Sequence, residues 1–500
     1  MINAKDSYDL VIYGATSAGI AAAIQARRMG LRTVVLEPGD RIGGLTAGGL
    51  GDTDHGQQDA IGGIAREFYQ RVGRKYGEED AVWYFEPGIA LEVFQEMLSE
   101  QDVTVIHGER LDRTHGDAVT MDGNAIRQIR MESGRTFEAK MFMDAGYEGD
   151  LMALAGVSYT VGREPNDRYG ETRNGIRSKS ENELPDGIDP YLEPGKPASG
   201  LLPRVNPNPG GMPGEGDRKL QAYCYRMCLT DDPRNRIMIA RPEGYDERDY
   251  EILFRALEAG MPHDRVFKLN VMRNRKTDSN NHYGISCDYN GGNHAYPEAD
   301  YDTRAAIAAR HEVYQKGLVW TIQNHPRVPR EVRERYAPWG LPKDEFVETG
   351  NWTPQLYIRE SRRMCGDYTV TENVVLRRDT VADSVGLGSY AMDSHHTQYY
   401  VNDRGFVSTE GGFYDILESP YPVSYRALVP KRTQCTNLLV PVCLSATHAA
   451  YGSIRMEPVF MILAQSAATA AALAIETGRP VQDVDMATLR TRLEADGQIL

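Results

Sequence analysis

The feature that most constrains this chain lies in its first forty residues. An apolar run at 9–13 is followed by Gly14-Ala15-Thr16-Ser17-Ala18-Gly19, an alanine-rich stretch over 20–29 ending at Gly30, and a second apolar run over 33–36 closed by Glu37. Strand-length apolar runs on either side of a helix-length stretch make a β-α-β unit, which commits the chain to parallel strands joined by a crossover helix. A dinucleotide-binding version needs three small positions: one for the tight turn, one for close backbone approach and one for helix–strand packing. Here they are Gly14, Thr16 and Gly19, with threonine where a glycine is usual. Glu37 ends the second strand, where a carboxylate accepts hydrogen bonds from an adenosine ribose about 20 residues after the first glycine. Ala15, Ser17 and Ala18 complete the turn and open the helix, whose free N–H groups and dipole would hold two phosphates without a lysine. Pro38 and Arg41 follow, then Gly43-Gly44-Leu45 and further glycines to Gly51, where main chain can pass close to a flat ring or the second phosphate.

Composition narrows the partners. The chain has 500 residues, enough at roughly 150 per domain for about three compact units or one two-lobed enzyme. Hydrophobic residues at 41%, with 49 glycines and 25% charged residues, are ordinary for a globular protein and exclude bulk disorder. The net charge of −15 repels phosphate backbones and anionic headgroups, so no nucleic-acid partner is expected. Cys224, Cys228, Cys287, Cys365, Cys435 and Cys443 show no paired spacing, and the opening residues show no leader pattern, which makes the cytoplasm the expected location. Residues 458–475 (PVFMILAQSAATAAALAI) approach bilayer-spanning length. Gln465, Ser466, Thr469 and the many alanines instead predict a buried core helix, so no membrane span is expected.

Turn signals at Asp122-Gly123-Asn124 and Ser133-Gly134 divide strand-like segments at 125–131 and 135–143, after an earlier one at 103–106. They predict a β-meander returning to a buried strand at 140–145. Residues 162–216 turn to Pro, Gly, Asn and charge, predicting a long surface excursion. Helices are predicted near 247–258 and 302–324, a strand at 437–445, and the long helix after Pro458. The expected architecture is α/β: a Rossmann-like dinucleotide-binding domain built from both chain ends (1–160 and 425–490), with an inserted α+β substrate domain (161–424).

The segments GATSAGIAAAIQARRMG, LEP and RIGGLTAGGLGDTD resemble the FAD-dependent oxidoreductases with a glutathione-reductase-type FAD domain. They are most similar to a subgroup labelled xanthan lyase-like, whose glycine motif carries threonine at the middle position. The resemblance resumes at MDAGYEGDLMALAGVSYTVGRE (143–164), MDSHHTQYY (392–400) and the block at 420–472, and so covers most of the chain. Gly146 and Tyr147 stand where the family more often has Thr-Gly. The resemblance implies FAD as cofactor. No second glycine-rich β-α-β unit with an acidic strand end occurs mid-chain, so no nicotinamide domain is expected. The expected partners are a small-molecule substrate as electron donor and an unidentified external electron acceptor.

Oxidation of an alcohol or amine by a flavin sends hydride from carbon to flavin N5 while a base takes the O–H or N–H proton. Histidine is best matched to that task at neutral pH. His448, between a predicted strand and the turn at 452–458, is the first candidate, because the helix after Pro458 would aim its N-terminus at the flavin pyrimidine. His395 is the second, since the matching family block has a histidine there. Ser453 and Arg455 are expected at the flavin edge, with Arg455 and Glu457 either touching flavin or substrate or forming an ion pair that braces the turn. The stretch 277–300 combines Asn, Asp, His and Tyr side chains suited to a polyhydroxylated ligand, with Asn281 and Tyr283 as expected contacts. Arg359, with Arg362 and Arg363, would clamp a carboxylate or form a solvated helical face. Asp52, Asp54 and His55 lack the further ligands of a defined metal site, and no metal is assigned. The expectation is an FAD-dependent oxidoreductase acting on a polar small molecule, with a sugar or glycoside hydroxyl as first choice. A flavin-dependent amine or amino-acid oxidase or dehydrogenase, and an FAD-containing lyase or isomerase without net redox, stay open.

Overall fold

The computed structural model describes residues 6–114, 116–177, 183–282 and 284–500. Its centre is a seven-stranded sheet. β1 (Asp6–Tyr13) leads through helix α1 (Ser17–Arg28) to β2 (Thr33–Glu37), and β3 (Thr104–His107) extends the same edge in parallel. On the other side of β1 lies β6 (Thr136–Asp144), also parallel, which β5 (Ala125–Arg130) and β4 (Val119–Asp122) reach as an antiparallel meander. Leu10, Val11 and Ile12 are all fully buried, the continuous apolar run of a strand covered on both faces.

The chain's two ends meet in this sheet. Strand Leu438–Leu439 pairs in parallel with Phe142 and Met143 of β6. The C-terminal helix Glu457–Thr477 packs on α1, where Gln25 Nε2 donates to Thr469 Oγ1 at 3.1 Å across two alanine-rich faces. Among the described residues this is the one helix apolar and long enough to cross a bilayer, and its apolar window is 94% buried inside the fold. Burial of Val459, Phe460, Ile462 and Leu463 stabilises the protein by about 1.5–3 kcal/mol each.

Between the ends the predicted helices appear as Glu251–Glu258, entered through the 3-10 turn Glu247–Tyr250, and Tyr301–Asn324. The strand predicted over 437–445 shrinks to Leu438–Leu439, and the buried residues after it follow an irregular path. The excursion at 162–216 is largely irregular, yet it is not confined to the surface. Arg163 enters the interior and pairs with Asp217 and Glu410, each at 2.6 Å, because a guanidinium can leave water only if carboxylates replace its hydration. All six cysteines are free thiols.

Candidate active site

The turn after β1 explains why threonine replaces glycine there. Thr16 has φ −65° and ψ 175°, a conformation open to any residue, and caps α1 by accepting from Gly19 N. Its hydroxyl donates to Ala145 O at 2.8 Å, fastening the turn to the end of β6. Gly14 does need to be glycine: its φ is +98°, and a Cβ would come within 2.9 Å of Gly146 N. A Cβ at Gly19 would strike the carbonyl oxygen of Gly14.

Gly14, Thr16, Glu37, Pro38, Arg41 and Gly44 line one cavity of about 300 Å³, completed by residues that include Gly146, Tyr147 and Gln355. Glu37 Oε2 accepts from Ala15 N and Oε1 from Gly39 N, both at 2.8 Å. Burial pushes its carboxyl up to about 7, partly offset by those N–H groups. Arg41 is braced by Ala47 O at 3.1 Å and by Glu348. These residues fit FAD: backbone free of side chains where Gly14 and Gly146 meet, a helix N-terminus for pyrophosphate, and an acid for the ribose.

Other residues expected at the cofactor support this cavity rather than line it. Ala18 is fully buried, a Cβ at Gly43 would meet Phe94, and Leu45 N donates to Tyr147 OH at 2.9 Å. Ser17 Oγ donates to Glu457 Oε2 at 2.6 Å, and Thr46 and Tyr147 hydroxyls reach the same carboxylate at 2.7 and 2.9 Å. Glu457 thus ties α1, the glycine-rich segment, the end of β6 and the C-terminal helix together. Below pH 7 Glu37 takes up a proton and becomes a poorer acceptor for ribose hydroxyls. FAD affinity should therefore fall several-fold between pH 8 and 6, and Glu37→Gln should bind FAD weakly at both values. Fluorescence titration with FAD checks this, and a pH-independent affinity in the unaltered protein would contradict it.

A second cavity, about 520 Å³, is lined by a separate set of residues. Gln355 faces the nucleotide cavity and Tyr357, two residues on, faces the second; the glycine-rich segment likewise runs from Gly44 in one to Asp52 and Asp54 in the other. This cavity is strongly polar. The antiparallel pair Met392–Ser394 and Phe413–Asp415 forms one wall. His395 follows directly: its Nδ1 is 2.6 Å from Asp288 Oδ2 and its Nε2 is 3.5 Å from Asp393 Oδ2. Asp288 is buried, yet Arg359 at 3.0 Å and His395 hold its carboxyl well below the usual range. Against the same burial, His395 and then Arg455 lower Asp393 to about 2. Arg455 pairs with Asp393 at 3.1 Å and with the Tyr357 hydroxyl, while its buried Nε has no partner among the described residues.

The geometry redistributes several expected roles. His448 does not line either cavity: its Nδ1 is 2.7 Å from Glu360 Oε2 and its Nε2 is 3.2 Å from Ser394 Oγ, so it braces the wall from behind with both nitrogens engaged. The helix after it begins at Glu457 without a side-chain cap, and the Glu457 carboxylate is taken by Ser17, Thr46 and Tyr147. Ser453 is internal too, donating to Tyr390 O at 2.6 Å. Arg455 lines the polar cavity and pairs with Asp393, not Glu457. Arg359, Arg362 and Arg363 are neither a solvated helical face nor a carboxylate clamp. Arg359 is 0% exposed and holds Asp288 and Asn280, Arg362 pairs with Asp150, and Arg363 with Glu164 and Glu360. Asn281 lines the polar cavity as expected, whereas Tyr283 lies outside the described residues. Sequence reasoning misses Asp288 and Asp393 as partners of His395; an acid two residues before a histidine is the available signal for Asp393.

Against known proteins, the family model described as FAD-dependent oxidoreductase matches residues 9–493. No curated protein matches the chain. Solved structures with partial likeness include OxyS anhydrotetracycline hydroxylase from Streptomyces rimosus (18% identity, 32% of this chain and 36% of that one, TM-score 0.23). L-proline dehydrogenase from P. horikoshii gives 13% identity over 32% of this chain and 59% of that one, with TM-score 0.25. Thioredoxin reductase from T. acidophilum gives 18% identity over 28% and 35%, with TM-score 0.19. The chain therefore spans less than two thirds of each of these proteins. With a family match over nearly its whole length and a nucleotide cavity that fits the cofactor, the chain belongs to the FAD-dependent oxidoreductases and is an FAD-using enzyme.

Proposed function

We propose that this enzyme oxidises a hydroxyl group of a sugar or glycoside to a carbonyl in the polar cavity, passing the electrons on to an external acceptor. One observation carries the reading: His395, held between Asp288 and Asp393, stands in the wall of a polar cavity whose Tyr357 is two residues along the chain from Gln355 of the nucleotide cavity. Asp288 accepts a hydrogen bond from Nδ1–H and so leaves Nε2 to take the substrate O–H proton. Asp393, beside Nε2, stabilises the imidazolium that results. Arg455 and the Asn281 amide line the cavity and offer polar contacts that can orient neighbouring hydroxyls. FAD, when bound, supplies the two-electron acceptor for the hydride leaving carbon.

The cavity volume is in the range for small-molecule ligands, and its amides, carboxylates and cations alternate as donors and acceptors, as hydroxyl-rich rings require. An ammonium substrate is less favoured. Asp52 is taken by Asn270 at 2.9 Å, and Asp54 by Tyr390 OH at 3.0 Å and Arg226 at 3.4 Å, so no lone carboxylate waits for a cation. Placement in the threonine-bearing subgroup is supported by Thr16 acting as a helix cap. The test is flavin bleaching without oxygen against panels of sugars, glycosides, amines and amino acids. Bleaching by the carbohydrate panel is expected. Bleaching by amines alone, or product formation with no acceptor and no bleaching, would overturn the reading.

A further inference from the structure

Behind the wall that carries His395 lie two thiols with no part in the proposed chemistry. Cys224 and Cys287 are both 0% exposed, and their sulfurs and an Asp288 carboxylate oxygen all lie within 4.8 Å of one another. The Cys287 thiol is hydrogen-bonded to the Cys224 sulfur, and burial pushes it up, so at rest it stays protonated. Cys224 Sγ also accepts from Arg359 Nη2 at 3.1 Å, and the same guanidinium stands 3.0 Å from Asp288 and 3.2 Å from Asn280. Two thiols and a carboxylate are metal-ligand types, but here the guanidinium already supplies the positive charge and would repel a metal ion. The chemistry left to the pair is that of a dithiol.

The two sulfurs are held differently. Cys224 sits in a short strand, Cys224–Tyr225, paired antiparallel with Leu356–Tyr357. Cys287 lies in an irregular bend, and Asp288 is the next residue. Closing the sulfurs to a bonded distance of about 2 Å therefore draws the Cys287 bend toward the strand. Asp288 moves with it, and the 2.6 Å contact of Asp288 with His395 Nδ1 is the one that orients the base. Access comes from the polar cavity. Asn280 lines that cavity, and its amide oxygen is 3.6 Å from Cys224 Sγ, so the pair lies one side chain behind the wall.

We propose that Cys224 and Cys287 form a disulfide on reaction with hydrogen peroxide, and that this bond switches the enzyme off by pulling Asp288 away from His395. One sulfur, as thiolate, attacks a peroxide oxygen; the O–O bond breaks, a sulfenic acid forms, and the departing hydroxide takes up the thiol's proton as water. The second sulfur then attacks the first, the S–O bond breaks, and a second water leaves with the second thiol's proton. The two thiols give up two electrons and peroxide takes them. Exchange with an added dithiol reverses the change. The loss of rate rests on the proposed role of His395; the disulfide itself does not.

The test treats the FAD-loaded enzyme with hydrogen peroxide, alkylates the remaining thiols in denaturant, and maps peptides without reductant. A cross-linked pair carrying Cys224 and Cys287 is expected. The map also separates this bond from oxidation of Cys365 alone, the one cysteine that is not fully buried. Flavin reduction without oxygen, by whichever member of the sugar, glycoside, amine and amino-acid panels bleaches the flavin, should slow about 10- to 100-fold, as misplacing a catalytic group by about an ångström does. Dithiothreitol should restore the thiols and the rate together. Cys287→Ala and Cys224→Ser should each keep their own untreated rate after peroxide, with FAD content and circular dichroism reporting whether they are folded. Cys224 and Cys287 left unlinked, a cross-link at unchanged rate, or equal slowing of both variants would overturn the proposal. Bleaching by amines alone would overturn the sugar reading and leave this test standing.

Discussion

Replacing His395 by alanine should leave the enzyme yellow and slow reduction of its flavin by substrate about 10²- to 10⁴-fold, the usual contribution of a positioned general base. The geometry makes the prediction specific. Asp288 fixes the Nδ1 side of the ring, and Arg359, 0% exposed, fixes Asp288. Nothing in this arrangement reaches the nucleotide cavity, so FAD content should hold. His395→Gln keeps one polar group near the site but takes up no proton near neutral pH, and it should be nearly as slow. His448→Ala should behave differently, unfolding at lower temperature, because it strips Glu360 and Ser394 of their shared partner. Rapid mixing without oxygen separates these outcomes. A His395→Ala enzyme reduced at the normal rate would remove His395 as the base.

Gly19→Val should abolish FAD retention. The added Cβ would run into the carbonyl oxygen of Gly14, a backbone atom tied through Gly14 N to Leu36 O at 2.8 Å. Neither β1 nor β2 can yield, so α1 must lift from the sheet. That movement breaks the Thr16 cap and drags Ser17 from Glu457, the carboxylate joining the two chain ends. The absorbance of purified protein, expressed as FAD per chain, is the measurement; near zero is expected. Gly19→Ala meets the same oxygen with less bulk beyond it and should retain part of the FAD. A Gly19→Val protein with one FAD per chain would refute the packing argument.

These two positions also show which features the sequence made legible. Gly19 was readable because a β-α-β unit announces itself locally, through two apolar runs, an alanine-rich helix and a terminal glutamate. Thr16 carried a legible second meaning, since threonine before a helix is a favoured cap. The meeting of the chain ends was expected from the apolar helix after Pro458, and that helix is indeed packed on α1. The polar site was harder. His395 and Asp288 are 107 positions apart, and no local pattern reports a contact of that span. Arg359, Arg362 and Arg363 read as a clamp for a ligand carboxylate or as a solvated face, because arginines are usually exposed; here each is buried against a carboxylate of the protein, supplied by a distant segment or, for Arg363, partly by Glu360. The place of His448 beside a helix start makes it a candidate in the sequence, but that feature gives no sign of Glu360 and Ser394 closing on both its nitrogens.

The central claim is spatial: bound FAD would lie along Gly14, Glu37 and Gly44, which line one cavity, and would present its ring to the second, walled by His395 and Asp393. A crystal structure of the FAD-loaded enzyme tests it most directly. The account predicts the adenosine ribose within hydrogen-bonding distance of Glu37, the pyrophosphate at the start of α1, and the ring edge facing His395 past Gln355 and Tyr357. A ring directed elsewhere, with His395 and Asp393 out of reach of any substrate bound against it, would contradict it.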